Sequence, residues 1–377
     1  MNRWTQLVHF DPNPGDPHSP NTTPLYQTST FAQTLGGDNQ YDYTRSGNPT
    51  RTIVEQQIAK LEEGKAAFAF SSGMAALNAV IGLLHTGDHI IAGDDLYGGT
   101  HRLLTKRLAQ RGLHVSFVDT TNLSAIAQAL KPETRLILIE TPSNPLQKIS
   151  SIKALADVAH SNDALLAVDN TFLSPWIQQP LLLGADIVIH SGTKHLSGHG
   201  DVTAGVVIVN NADLIAQCAF IQNAEGSALA PFESWLLLRG LKTLGLRIEK
   251  QQRTTAQIIS YLQNHSHVKK IYSPALADHP GAALHAKQAK GNGTLISFTT
   301  DNLALSKQLI NKTQLFVTSV SFGSLSSLIS LPGDMSHASI KSEERNFNAD
   351  LVRLSIGIED PQDLINDLEQ AFYCSTI

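Results

Sequence analysis

The sequence predicts an α/β fold: a mostly parallel sheet covered by helices on both faces, followed by a smaller C-terminal α+β domain. Three observations predict it. Short segments that are apolar at nearly every position alternate with helical patterns between about residue 53 and residue 209. A strand with one wet face would alternate apolar and polar residues, so these strands are covered on both sides. After about residue 230 the pattern changes to one long helical stretch and then to a looser mixture of helix and strand. Finally, the chain has 377 residues, 42% of them apolar and 16% charged, which suits a large packed core and not a solvated tail.

Residues 1–52 are rich in Pro, Thr, Asn, Asp and Gly with little periodicity, and predict an extended arm that lies on something else. The α/β domain then runs over 53–244. It opens with "TIVEQQIAKLEEG", helical by its spacing and stopped at Gly64. "AAFAF" reads as a strand, "GMAALNAVIGLL" as a helix and "HIIAG" as a strand; "HVSFVD", "RLILIE", "LLAVDN", "ADIVIHS" and "AGVVIV" continue the alternation. The helical run "PFESWLLLRGLKTLGLRIEKQQRTTAQIISYLQNH" leads into the α+β domain, placed at 245–377.

Composition removes several classes of function. A formal net charge of −5, with no basic block, offers nothing to nucleic acid. No apolar run approaches the roughly 20 residues that span a bilayer, so no membrane role is expected. The N-terminal segment lacks the apolar core of a signal peptide, and Cys218 and Cys374 show no metal or disulfide spacing. A soluble cytoplasmic protein is the expectation.

Open parallel sheets bind ligands at the carboxyl ends of their strands, and several polar groups fall there. "AAFAF" runs into Ser72-Gly73-Met74 and a helix start, where backbone N–H groups can cradle an anion, although Ser72 taken alone reads more readily as an N-cap. "RLILIE" runs into Ser143-Asn144, "LLAV" into Asp169, and "ADIVIH" into Ser191-Gly192-Thr193-Lys194. Asp169 and Lys194 lie 25 residues apart, one strand-helix unit, so both side chains can reach one crevice. A lysine able to condense with an aldehyde, an acid to face a protonated ring nitrogen, and amides and hydroxyls for a phosphate are what pyridoxal phosphate requires.

The ordered motifs "YDYTRSGNPTR", "SSGMAALNAV", "DDLYGGTHR", "ETPSNP", "AVDNTF" and "HSGTKHLSGHGDVTAG" resemble the Cys/Met-metabolism family of pyridoxal-phosphate enzymes. The resemblance runs on through "LVRLSIGIED" and covers nearly the whole chain; within the family it is most similar to the cystathionine β-lyase branch, in its plant-like form. It implies the type I, aminotransferase-like fold and a small amino-acid thioether as substrate. By the same resemblance, Lys194 carries the cofactor, Asp169 partners the pyridine nitrogen, and Tyr97 stacks on the ring and aids proton transfer. Gly73, Met74, Ser191 and Thr193 hold the phosphate, with Tyr43 and Arg45 reaching in from a neighbouring subunit of a homotetramer built from dimers. Arg353 grips the substrate α-carboxylate, aided by Asn144; its planar fork suits that task.

One departure bears on the reaction. Many γ-acting relatives carry a glutamate where this chain has Ser326, and its loss argues for β-elimination. A competing reading gathers His190, His195, His199 and Asp201 into a metal cluster, but H-E-x-x-H is absent and the glycines at 198 and 200 oppose a ligand helix, so no metal is expected.

Overall fold

The computed structural model describes residues 1–10, 18–37, 39–338 and 345–373; Cys374 lies outside them. Seven strands form the first sheet: β1 (Ala66–Phe70), β2 (His89–Gly93), β3 (His114–Val118), β4 (Thr134–Glu140), β5 (Leu165–Asp169), β6 (Ile187–Ser191) and β7 (Gly205–Val209). Their order is β1-β7-β6-β5-β4-β2-β3. Only β7 runs against its neighbours, so the other six strands point their carboxyl ends the same way. That common end is where the site forms.

The apolar strand segments follow from burial on both faces. In β7, Val206 and Ile208 join one core cluster with Ile53, Val54 and Ile58, while Val207 and Val209 join another with Leu77 and Val80. Each such side chain contributes about 1.5–3 kcal/mol on full burial, and no position in the strand is left over for a polar residue.

The arm is not wholly irregular. Helix α1 (Arg3–Val8) is too short to show a period in sequence, yet Leu7 is buried and Trp4 meets Trp176 edge-on at 4.7 Å. Helix α2 (Pro49–Leu61) starts inside the predicted arm, where Asn48 caps the Thr50 amide and proline occupies the first turn. Helix α3 (Gly73–Ile81) follows β1, and helix α4 (Gly98–Lys106) follows β2. The long helical stretch divides into two helices, Pro231–Leu241 and Leu244–Gln263.

The second sheet has β8 (Val268–Tyr272), β9 (Leu295–Thr300), β10 (Val317–Thr318), β11 (Leu328–Ser330) and β12 (Leu351–Ser355), ordered β10-β11-β12-β9-β8. Ile258 and Leu262 of the long helix pack with Phe298, Val352 and Leu354 in its core. Arg353 lies mid-strand on β12, opposite Ser297 and Ser330, and is 3% exposed. Nothing in the alternation of "LVRLS" marks it as more than an ordinary strand cation; burial does.

Candidate active site

A cavity of about 410 Å³ opens at the carboxyl ends of the parallel strands and is walled on the far side by residues 320–322 and Arg353. Nine of the sequence-predicted residues line it: Gly73, Met74, Tyr97, Asn144, Asp169, Ser191, Thr193, Lys194 and Arg353. Gly73, Tyr97, Asn144, Asp169 and Lys194 meet there because β1, β2, β4, β5 and β6 all end on the same edge, and Arg353 joins them from β12 of the second sheet.

Lys194 is half-buried, and its Nζ donates to Ser321 Oγ at 2.6 Å. Burial, with the Arg353 cation nearby and Asp169 acting in the opposite sense, lowers the amine to about 8. A lysine this easily deprotonated is a nucleophile and a base near neutral pH. Ser321 adopts φ 92°, a left-handed conformation costly for a residue with a Cβ, and it accepts Arg353 Nη2 on its carbonyl at 3.0 Å. One strained serine thus holds Lys194 and Arg353 together.

Arg353 Nη1 donates to Asn144 Oδ1 at 2.8 Å, and burial lowers the guanidinium to about 10. Asn144 is 2% exposed, and its carbonyl meets His337 Nε2 at 3.1 Å. Asp169 accepts the Thr171 amide at 3.0 Å; burial raises its carboxyl, while Thr171, His190 and Lys194 favour the charged form. A buried acid held this way is stabilised as an anion by any cationic group placed against it.

At the end of β1, Ser72 Oγ accepts the Ala75 amide as an N-cap, so the capping role is realised and the cradle is formed by other groups. Gly73 and Met74 occupy the first two helical positions, whose amides have no carbonyl within the helix to bond. A Cβ on Gly73 would lie 2.9 Å from Ser191 Cβ, so glycine alone lets the helix start reach Ser191. Thr193 differs from expectation: its hydroxyl exchanges bonds with the carbonyl and amide of Ala204, at 3.2 and 3.0 Å, and has to turn from that carbonyl to donate into the cavity. The Tyr97 ring lies over the first turn of α4, where a Cβ on Gly99 would come within 2.3 Å of it.

Tyr43 and Arg45 do not reach this cavity within the chain. They line a separate surface recess, where Arg45 Nη1 donates to the carbonyl and side-chain oxygens of Asn223 at 2.7 Å. Ser326 is exposed and does not line the cavity; its carbonyl accepts Ser324 Oγ. Within one chain, therefore, the argument from Ser326 for β-elimination has no geometric support. The histidines go elsewhere too. His190 pairs with buried Glu62, His195 bonds Thr294 Oγ1 at 2.9 Å and is held neutral by burial, down to about 3, and His199 bonds the Ser197 carbonyl. Among the described residues no three His, Cys, Asp or Glu side chains converge as a metal site.

Several wall residues were not singled out from sequence. Glu140, at the end of β4, is 8% exposed and accepts the Tyr97 amide at 3.0 Å; burial and the nearby Asp169 raise it well above the usual carboxyl range. Ser321, Phe322 and the exposed Arg102 also line the wall. Glu140 and Arg102 stand in the quoted segments "RLILIE" and "DDLYGGTHR", so the signal was present but carried no distinguishing chemistry.

The site fits pyridoxal phosphate on its own evidence: a depressed lysine, a buried acid on the neighbouring strand, an aromatic ring on the wall, and the open amides of a glycine-started helix. The comparisons agree. Cystathionine β-lyase, chloroplastic, from Arabidopsis thaliana is 52% identical over 372 residues, 98% of this chain and 80% of the relative. Cystathionine γ-lyase from Bacillus subtilis (strain 168) is 44% identical over 375 residues, 98% of this chain and 99% of the relative. The crystal structure of cystathionine γ-lyase from Lactobacillus plantarum, complexed with L-serine, superposes with a TM-score of 0.97 at 44% identity, covering 99% of this chain and 98% of that one. With the sequence profile of Cys/Met metabolism PLP-dependent enzymes matching residues 4–373, the chain belongs to that family.

Proposed function

We propose that this enzyme cleaves L-cystathionine at the β-carbon, taking up one water and releasing L-homocysteine, pyruvate and ammonia. The observation that carries the catalytic reading is the position of Lys194: a lowered amine, held by Ser321, between Asp169 and Arg353. The choice of substrate and bond is supported by the plant relative, which is named a β-lyase and is more similar than the γ-lyases at 44%.

Lys194, Asp169, Tyr97, Ser191, Thr193 and the Gly73 and Met74 amides would hold the cofactor, which supplies an electron sink that makes the amino-acid Cα acidic. Arg353 binds the α-carboxylate through its fork, with Asn144 Oδ1 fixing one of its two nitrogens in plane. Arg353 is already held by Asn144 and Ser321, so it is oriented before a carboxylate arrives. Lys194 Nζ takes the Cα proton and returns a proton to the departing sulfur, one group serving as base and then acid. Asp169, as an anion, would favour a protonated ring nitrogen on the cofactor. The three-carbon remainder leaves as an enamine, which water hydrolyses to pyruvate and ammonia.

We further read the assembly as a dimer, paired into a tetramer, in which Tyr43 and Arg45 of each chain serve the cavity of the other. Their exposure on an arm with little core of its own supports that reading. The keto acid released from cystathionine tests the function: pyruvate with homocysteine is expected, and 2-oxobutyrate with cysteine would replace the β-carbon by the γ-carbon.

A further inference from the structure

Strands β2 and β4 are parallel neighbours, and the loops that leave them carry Tyr97 and Asn144. These two loops are stitched reciprocally by carboxyl groups. Glu140, from the β4 end, accepts the amide of Tyr97 at 3.0 Å. Asp95, from the β2 end, accepts both the Ser143 hydroxyl and, at 3.1 Å, the Leu146 amide on the same oxygen, Oδ2. Ser143 Oγ in turn accepts the Lys148 amide at 2.8 Å, so the turn around Asn144 is closed on Asp95. From Asn144 the bonds continue to Arg353, to Ser321 and to Lys194. Asp95 is 6% exposed and is not among the residues that line the cavity.

We infer that Asp95, as a carboxylate, is a positioning residue for this site: it fastens the Asn144 loop to the Tyr97 loop and so keeps Asn144 and Arg353 set for the substrate carboxylate. The inference rests on the proposed role of Arg353 and Asn144. Bonds to an ionised acceptor are about twice as strong as bonds to a neutral one, so protonating Asp95 slackens the loop without removing any atom. The groups facing it decide when that happens. Burial pushes Asp95 up to about 6, opposed by Ser143, Leu146 and Lys148 and assisted by Asp94; Glu140 is the other buried acid beside it. Asp95 therefore loses its charge just below neutral pH.

The test is a pH profile of kcat/KM for cystathionine, run alongside thermal unfolding of the same holoenzymes. Wild-type should lose kcat/KM on the acid side with a midpoint near 6, chiefly through KM. Asp95→Asn should sit about tenfold to hundredfold lower at neutral pH and lack that limb. Ser143→Ala, which removes a donor favouring the charged form, should move the limb to higher pH. The sign for stability is opposite to that for activity. A folded value above the unfolded 3.8 means the stabilising contribution is fully present below 3.8 and is lost as pH rises through about 6. Asp95→Asn should therefore unfold at a higher temperature than wild-type at pH 8, with the gap closing by pH 4, a result independent of any substrate. An acid limb unchanged in both variants, or Asp95→Asn as active as wild-type at pH 7, overturns the inference. Absence of cystathionine cleavage by wild-type would instead overturn the proposed function, leaving the unfolding comparison to judge the Asp95 clamp by itself.

Discussion

Lys194 gives the sharpest quantitative expectation. Its amine is lowered from 10.5 to about 8 by burial and by Arg353, with Asp169 opposing. At pH 7 this raises the neutral, reactive fraction from roughly 0.03% to roughly 10%, about 300-fold. The assay strips the cofactor and labels the protein with limiting trinitrobenzenesulfonate over a pH series, reading Lys194 by peptide mass against a free peptide of the same sequence. The midpoint should fall near 8 for the protein and near 10.5 for the peptide. Two substitutions fix the cause. Arg353→Met removes the cation and should move the midpoint up; Asp169→Asn removes the anion and should move it down. The same shift corresponds to roughly 3 kcal/mol, a cost of holding the charged amine that is fully felt below pH 8 and fades above it. Stripped Lys194→Met should accordingly be more stable than stripped wild-type at pH 7. A protein midpoint above 9.5, or shifts of one sign in both variants, would refute the reasoning.

Other expectations follow from the same geometry. Arg353→Ala removes a charge-assisted fork and should lower kcat/KM roughly 10- to 100-fold, mostly through KM, with the cofactor band retained. Asp169→Asn should lower kcat about 100- to 10,000-fold while KM changes little, because the anion acts on the electron sink and not on substrate grip. Arg45→Ala and Lys194→Ala chains, unfolded together and refolded, should regain about 25% of wild-type pyruvate release, since half the dimers are hybrids with one intact site of two. Activity that stays at the parental average after verified exchange would assign Arg45 to its own chain.

The strands were legible because burial on both faces leaves them no polar position, as β7 shows with Val206 and Val207 facing different cores. Lys194 and Asp169 were legible because a cation and an acid at the ends of consecutive apolar strands demand partners. Asp95 and Glu140 were not. Each reads as an ordinary polar strand end, and its partner lies 43 to 51 residues away across the β2–β4 pair. Ser321 escaped for a different reason: its value lies in a backbone angle, and no residue pattern in "SVSFGS" reports one. Ser326 faces solvent within its own chain, and no residue pattern in the segment reports that orientation.

The central claim is that one lysine holds the cofactor and moves the proton. Reducing the holoenzyme with borohydride and mapping its peptides tests this most directly. The account predicts a pyridoxyl phosphate mass on the peptide containing "HSGTKHLSGHGD", at Lys194, with turnover abolished. The same modification on any other lysine, with Lys194 unmodified, would contradict it.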